Sequence, residues 1–454
     1  MQTIPANVLL KGLADLADTT PIHLVTTDSR HVEKDSVFVA FPGEKFDGHS
    51  FAAKALEQGA AYVVVNHPVE GVDPVRQILC ENSYRAMLVM GANYRATLHP
   101  VVIGVTGSVG KTTTKQFCHA VFSAFGETVR TEGNQNNELG VPNTLFRMDE
   151  TTQYGVVEMG MNHAGEISRL TACAKPDAAI ITCVGTAHIE NLGSRENICK
   201  AKLEICESLP DGAPLVLNGD DDMLRAAQLP ERLQPVWFSL EDETADVFAS
   251  NLNGDEKGTF FIINDADYGC FPVHIPAMGR HNVANALAAY CAATRLGLDA
   301  RKAAKALEKF VQTGMRQKVV RYHGITVIED CYNANPDSMR AALEMFREFP
   351  TARRFAVLGD MLELGETSES AHEEVGRLAA EANLAYLIAY GPASRRMAVI
   401  AAAKGLKTMY ADDPEEAAEM LLSRLEPGDT ILFKASRGMH LEEIIELIYN
   451  GWQS

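Results

Sequence analysis

The sequence predicts an α/β protein of three domains, and three observations carry that expectation. Its 454 residues exceed what one hydrophobic core ordinarily organises, and at usual domain sizes they divide into about three. Short β-branched runs alternate with helical segments along most of the chain, the pattern of parallel sheets covered by helices. One such run, Val101-Val102-Ile103, feeds directly into a glycine-rich loop, Gly104 to Gly110, followed by Lys111 and three threonines.

That loop is the centre of the reading. A strand, a glycine turn and a helix start together present backbone N–H groups and the positive helix end to phosphate. Lys111 adds a cation, and a threonine hydroxyl such as Thr112 can bind Mg²⁺. The strict Walker A spacing asks for glycine five residues before Gly110, where this chain has Val105, and Gly104 stands one place too early. A site for a nucleoside triphosphate is the expectation, with Gly107, Ser108, Val109, Gly110, Lys111, Thr112 and Thr113 as its cradle.

Taken in order, residues 1–82 form a small α/β module. Val37–Phe41 and Ala61–Val65 read as buried strands with a helix over Ser50–Gln58 between them. Two polar loops, Thr27–Arg30 and Gly43–His49, are either surface turns or contacts for a phosphorylated ligand. A helix over Ser83–Leu98 opens the second domain, 83–313, with strands at Tyr154–Met159, Ala178–Val184 and Pro214–Leu217. The stretch 241–275 has shorter apolar runs and turn residues, which predicts β-hairpins, and Gly279–Leu296 is an alanine-rich helix. The third domain, 314–454, has strands at Ile325–Asp330, Phe355–Gly359, Ala385–Tyr390 and Thr430–Phe433, separated by helices such as Ser368–Asn383 and Pro414–Arg424. It lacks a GxGxxG after its first strand, so it is Rossmann-like without a dinucleotide signature.

Composition narrows the class. A net charge of −19 argues against nucleic acid or an anionic membrane surface as partner. Nine scattered cysteines without a CxxC indicate a reducing compartment and neither disulfides nor zinc. The N-terminal residues do not show the basic start and apolar core expected of a signal peptide, and no apolar run reaches the roughly 20 residues of a membrane span. The expectation is a cytoplasmic protein without membrane insertion.

Chemistry is expected where strands end. Glu158 closes the run Tyr154–Val157, and His188 and Glu190 follow the next strand, placing a carboxylate and an imidazole beside the phosphate loop. That pairing suits a Mg²⁺–triphosphate site, although a hydrogen-bonded loop histidine is the common fate of a lone His188. Lys200 and Lys202 follow on a helix; they are either a solvated pair or, if one is desolvated, an amine able to take up CO₂ as a carbamate. The polar loop with Asn134, Asn136 and Asn137 is either a turn or a set of directional contacts for substrate.

These motifs in combination resemble the Mur ligases, ATP-dependent amide-forming enzymes of peptidoglycan precursor synthesis. The family's phosphate loop, TGxxGKT, is Thr106–Thr112 here, which accounts for the Walker A misfit. TDSR at 27–30, GEKFDGH at 43–49, GNQNNELGVP at 133–142, EMGMNHAGEI at 158–167, AKLEI at 201–205 and NANPDSM at 333–339 resemble the branch that adds D-alanyl-D-alanine. The DNPR signature of the diaminopimelate-adding branch is absent. The resemblance implies a UDP-substrate domain over 1–82, an ATPase domain over 83–313 and a ligase domain over 314–454. It implies that ATP is consumed to join D-alanyl-D-alanine to UDP-N-acetylmuramoyl-tripeptide, in the cytoplasm, by a monomer. Ser29, Arg30, Lys45 and His49 would then serve the UDP substrate, with Asn134, Asn136, Asn137, Asn333 and Asn335 as further substrate contacts. Asn282 would face adenine, Asp330 the ribose and Arg316 the phosphates. Thr112, Glu158, His188 and Lys202 would surround Mg²⁺, with Lys202 carbamylated and Lys200 the alternative. Lys111, Glu158, His188, Lys202 and Arg316 would form the catalytic set. A kinase or GTPase-type switch would share the phosphate loop but calls for strict Walker A spacing. A folate-polyglutamylating relative would not need the TDSR and GEKFDGH loops.

Overall fold

The computed structural model describes residues 1–43, 46–255 and 257–452. Lys45, one of the residues expected at the UDP substrate, lies outside them. Three main sheets follow one another along the chain. A four-stranded parallel sheet runs Val25–Thr26, Val37–Val39, Tyr62–Val65 and Gln77–Leu79, preceded by a two-stranded antiparallel pair, Ile4–Pro5 with Pro21–Ile22. The strand expected over Val37–Phe41 stops at Val39, because the chain turns at Phe41 to accept a bond from Gly48 N at 2.9 Å.

The second sheet has nine strands and carries the phosphate loop. The strand Val101–Thr106 lies at its heart, paired in parallel with Ala178–Ile181 on one side and Tyr154–Glu158 on the other. The predicted hairpin region is antiparallel, Val247–Asp255 with Gly258–Asp265 with Gly269–Ile275, and continues the same sheet. Ala178–Ile181 is shorter than expected: at Val184 the backbone N–H donates to Asp221 Oδ2 at 2.7 Å instead of a neighbouring strand, and the chain leaves the sheet. Thr128–Arg130 and Gln234–Ser239 are strands that the sequence pattern left unmarked, one only three residues long and the other opening on exposed Gln234 and Pro235.

Two apolar layers flank this sheet. One joins Val102, Val157, Ile181 and Leu217 to Met87 and Met90 of the helix Ser83–Arg95, and continues to Ile22, Val39 and Val64 of the first module. The other packs Ile103, Val105 and Val156 against Phe117 and Val121 and against the helix Arg280–Arg295. Burying alanines Ala286, Ala288, Ala289, Ala292 and Ala293 lets that helix approach the sheet closely, and the sheet contributes the larger side chains.

The third sheet has six strands in the order Lys318–Tyr322, Ile325–Glu329, Thr430–Lys434, Arg354–Gly359, Tyr386–Tyr390 and Thr408–Ala411. All pairings are parallel except the opening hairpin. The helix expected over Ser368–Asn383 ends at Glu381, two residues before Asn383 takes the left-handed φ of 60°. The α/β class and the parallel-sheet layering agree with the expectation. Among the described residues, no helix is long and apolar enough to cross a membrane.

Candidate active site

The phosphate loop owes its shape to two glycines. Gly107 has φ 151°, and a Cβ there would stand 1.8 Å from Thr182 Oγ1 on the neighbouring strand end. Gly110 has φ 87° and opens the helix Lys111–Phe122; a Cβ there would meet Asn285 Oδ1 at 2.5 Å. Any side chain at either position would push the loop off the sheet. Lys111 Nζ curls back to donate to Gly107 O at 2.7 Å, so its ammonium lies over the cradle. Burial lowers its pKa, with the Glu158 carboxylate opposing and Arg316 adding to the shift.

Glu158 is 1 % exposed at the end of its strand. Its Oε1 accepts from Thr112 Oγ1 at 3.1 Å and from Asn136 Nδ2 at 2.8 Å. Its Oε2 lies 2.9 Å from the Lys115 ammonium yet accepts no aligned hydrogen bond among the described residues. Burial alone would raise its pKa; Lys115 and then Lys111 outweigh that and hold it below the usual carboxylate range. His188, in the left-handed conformation at φ 62°, sets Nδ1 3.0 Å from Glu363 Oε2, also without hydrogen-bond alignment. Burial lowers its pKa, as does Lys111, against the pull of Glu363. Two buried atoms lining the same cavity, a carboxylate oxygen and a ring nitrogen, are therefore held by the charges of Lys115 and Glu363 rather than by aligned hydrogen bonds.

Lys202 lies buried on the helix Arg195–Leu203, and burial, then Lys111, brings its pKa down to about 7. Lys200, its neighbour, is exposed. The two lysines that the sequence could not tell apart are thus separated by helix rotation: one faces the core and one faces water.

Three cavities border the phosphate loop among the described residues, one of about 270 Å³ between Lys111, His188 and Arg437, and two that meet at the loop itself. One of this pair, of about 260 Å³, is lined by Ser108–Thr112, Asn134, Asn136, Glu158, His188, Arg316 and residues 332–335. The other, of about 350 Å³, lies between Val109, Gly110 and Thr113 on one side and Asn282, Asp330 and Lys434 on the other. Val109, Gly110, Arg316 and Tyr332 border both. The Arg316 guanidinium stacks over the Tyr332 ring at 4.1 Å, which aims it at the junction. The cleft is closed by contacts across the second and third sheets. Thr186 N donates to Asp337 Oδ2 at 3.1 Å, and Gly185 leaves room for that carboxylate, since a Cβ would stand 2.0 Å from it.

The larger cavity is edged by a fixed amide chain. Asn282 Nδ2 donates to Met278 O and to Gln317 Oε1, both at 2.8 Å, and Gln317 Nε2 then faces His281 Nε2 at 2.8 Å. An amide nitrogen only donates, so His281 Nε2 must accept and the ring is neutral. Asp330 is held by Lys434 Nζ at 2.8 Å.

Other expected residues are occupied differently. Asn137 Oδ1 accepts from Leu139 N and Gly140 N, in the turn that leads into the helix Gly140–Phe146. Asn335 caps the helix Pro336–Glu348 through Ser338 N at 2.9 Å, while lining the smaller cavity, and Asn333 Oδ1 accepts from Ala334 N. Arg30 forms a two-pronged pair with Asp28, Nε to Oδ1 at 2.9 Å and Nη2 to Oδ2 at 2.6 Å, on an exposed turn shared with Ser29. His49 is buried with Nδ1 on Asp47 Oδ1 at 2.6 Å and Nε2 accepting from Asn66 N at 2.9 Å. Among the described residues, neither cavity is lined by Ser29, Arg30 or His49. Sequence reasoning passed over Lys115, Lys434, His281 and Asp337. Lys115 offered the clearest signal, since it lies one helical turn beyond Lys111 and so on the same face.

Comparison with known proteins agrees with this architecture. Three family models match in succession: the Mur ligase family catalytic domain over 21–109, the Mur ligase middle domain over 105–293, and the Mur ligase glutamate ligase domain over 315–437. Similar proteins include the UDP-N-acetylmuramoyl-tripeptide--D-alanyl-D-alanine ligase of Bacillus subtilis, 37 % identical over 94 % of this chain and 93 % of that one. The Escherichia coli enzyme of the same name is 35 % identical over 97 % and 96 %. This chain belongs to the Mur ligase family. Among solved structures of the family, MurF from Acinetobacter baumannii superposes with a TM-score of 0.90 at 32 % identity over 99 % of both chains. MurF from Thermotoga maritima, solved with ADP, gives 0.84 at 30 % identity over 94 % and 97 %. A Mur ligase with this phosphate loop is an ATP-consuming ligase, and the strict Walker A spacing of a switch GTPase is not what the fold uses.

Proposed function

We propose that this Mur ligase joins D-alanyl-D-alanine to UDP-N-acetylmuramoyl-tripeptide, converting ATP to ADP and phosphate. The observation that carries the reading is the pair of adjoining cavities, one beside the buried Glu158 and the other beside Asn282 and Asp330, meeting at the phosphate loop. Full-length similarity to ligases of that name supports the substrate pair. The same reading divides the chain at 1–82, 83–313 and 314–454, assigns the first part to the UDP substrate, and makes the enzyme a cytoplasmic monomer.

In this reading adenine lies against Asn282, the ribose near Asp330, and the phosphates run over Gly107–Thr113 toward Lys111 and Arg316. The tripeptide carboxylate attacks the γ-phosphorus, the bond to the β-γ bridging oxygen breaks, and ADP leaves. Lys111 and Arg316 offset the repulsion between the two anions. The dipeptide amine then attacks the acyl carbon; phosphate departs with the acyl oxygen, and the amine proton is released. Asn134 and Asn136 line the space for the acceptor chain, and closure of the third sheet over the second excludes water from the acyl phosphate.

Mg²⁺ would fit beside Glu158 and the His188 ring, whose buried Oε2 and Nδ1 lack an aligned hydrogen bond, with the Thr112 hydroxyl next to Glu158. Bound there with ATP, it would supply charge neutralisation at the phosphates. Lys202 suits a role as its carbamate, because a lysine brought down to about 7 keeps a large neutral fraction at neutral pH. That amine adds to CO₂ and releases a proton, which turns a cation into an anion beside the metal position. The experiment is phosphate release from ATP with each UDP-muramoyl peptide and each amino acid or dipeptide. Turnover that requires both the tripeptide substrate and D-alanyl-D-alanine is the expected result; equal turnover with a free diamino acid would move the chain to the neighbouring branch.

A further inference from the structure

Lys115 is a fully buried cation with no part in the chemistry described so far. At 0 % exposure it lies on the helix that begins at Lys111, one turn further on. Its ammonium donates to Gly133 O at 2.7 Å and stands 2.9 Å from Glu158 Oε2. A lysine is costly to bury and is retained where an opposite charge pairs it and its donors find acceptors.

Gly133 belongs to the loop 131–137, whose residues 132–135 are exposed and irregular. Besides Thr131 N donating to Val156 O at 2.9 Å, this loop touches Glu158 and its flanks at three other points. Thr131 Oγ1 accepts from Glu158 N at 3.0 Å, Asn136 Nδ2 donates to Glu158 Oε1 at 2.8 Å, and Asn136 O accepts from Gly160 N at 2.8 Å. All three join the loop to the Glu158 strand end. Among the described residues, Lys115 is what ties the loop's outer turn at Gly133 to the phosphate helix and to Glu158 together.

We propose that Lys115 is a positioning residue that locks the acceptor-facing loop 131–137 onto Glu158 and the phosphate helix, so that the loop and the carboxylate move as one unit. Its charge keeps the Glu158 carboxylate aligned from the side opposite Thr112 and Asn136. Its bond to Gly133 O holds Asn134 and Asn136 toward the smaller cavity. Loss of Lys115 therefore loosens acceptor binding and the geometry at Glu158, while the nucleoside cavity at Asn282 and Asp330 is untouched.

The inference rests on the proposed reading of this loop as facing the acceptor, and wild-type turnover with the tripeptide substrate and dipeptide tests that reading separately. For Lys115→Met the expected result is a KM for the UDP-tripeptide raised about tenfold or more and a lower kcat, with ADP affinity within about twofold of wild type. Backbone amide exchange over 133–137 should quicken by about tenfold or more, measured by mass spectrometry on the full chain. Lys115→Gln keeps a donor for Gly133 O without the charge, so it should recover loop protection and much of KM while kcat stays low. The Gln variant also serves if the Met variant does not fold. A residue that merely fills space predicts a lower melting temperature with unchanged loop exchange and unchanged KM. That outcome, or ADP and UDP-tripeptide affinities falling together, would overturn the proposal.

Discussion

The cleft between the second and third sheets and the polar turns of the first module handle charge in opposite ways. In the cleft, Glu158, Lys115 and Lys202 are all but removed from water, and Glu158 Oε2 and His188 Nδ1 face Lys115 and Glu363 without an aligned hydrogen bond. In the first module, Asp28 meets Arg30 in a two-pronged pair on the surface, and both nitrogens of His49 are engaged by Asp47 and Asn66. Burial without full satisfaction is costly, and a fold keeps it where a ligand completes the set. Satisfaction costs little at the exposed Arg30 turn and leaves a ligand to exchange partners one by one, while the buried His49 is fully engaged inside the module. The cleft is therefore built in advance of any ligand, whereas the turn at Arg30 would have to exchange internal bonds for ligand contacts if it serves the proposed UDP substrate.

The largest effect expected from this contrast is at Lys202. If it serves as a carbamate, Lys202→Ala should lower turnover by roughly 10³-fold or more, beyond the loss typical of one electrostatic donor, with the fold unchanged. Formate or acetate in solution should restore part of the activity, weakly, because a free acid must give up translational freedom that a tethered group has already lost. Ethylamine should not. Rescue by the amine alone would mean that a cation acts there, and wild-type turnover without additives would return attention to Lys200.

A smaller effect is expected in the first module. Arg30→Ala removes one partner of an exposed pair, and such pairs contribute about 0–1 kcal/mol to folding. The melting temperature should hardly change. If Arg30 binds the UDP diphosphate, KM for the UDP-tripeptide should rise about tenfold with kcat nearly constant, the signature of uniform binding. A fall in kcat with KM unchanged would place Arg30 in the closure of the cleft and blur the contrast between the regions.

The sequence was most legible where backbone and side chain obey the same constraint. A β-branched run, glycines at fixed offsets and a following lysine can form little else, so the cradle Gly107–Thr113 and its strand were readable without the fold. The placement of Glu158 and His188 beside the phosphate loop was readable for the same reason, since strand ends in parallel sheets face one edge. Lys115 was not: four residues from Lys111 it shares a helix face, but only the fold brings Gly133 O and Glu158 to meet it. The asparagines show how little residue type alone decides. Asn335 both lines the smaller cavity and caps a helix, and Asn137 Oδ1 accepts from Gly140 N in the turn that leads into another, uses that the residue type permits alongside ligand contacts. Thr128–Arg130 escaped because three residues carry too little pattern to mark a strand.

The smallest effect expected concerns pH, and it probes whether the cleft is pre-built. Burial brings the pKa of His281 down to about 4, with Asp330 opposing and Lys434 adding to the shift. The ring must stay neutral to accept from Gln317 Nε2, and that bond holds the amide chain to Asn282. An unfolded histidine titrates near 6.5, so between pH 6.5 and about 4 the unfolded chain binds a proton that the native ring refuses. Stability from this group is thus fully present above pH 6.5 and is lost as pH falls toward 4. The loss has a ceiling of roughly 3 kcal/mol, since each pKa unit is worth about 1.4 kcal/mol. His281→Gln can accept from Gln317 without titrating. Melting curves of wild type and variant should therefore converge as pH falls from 6.5 to 4.5, and ADP binding should weaken over the same interval in the wild type alone. Parallel melting curves across that range would mean that His281 is wetted and protonates freely, and that this edge of the cleft is shaped by the nucleotide rather than prepared for it.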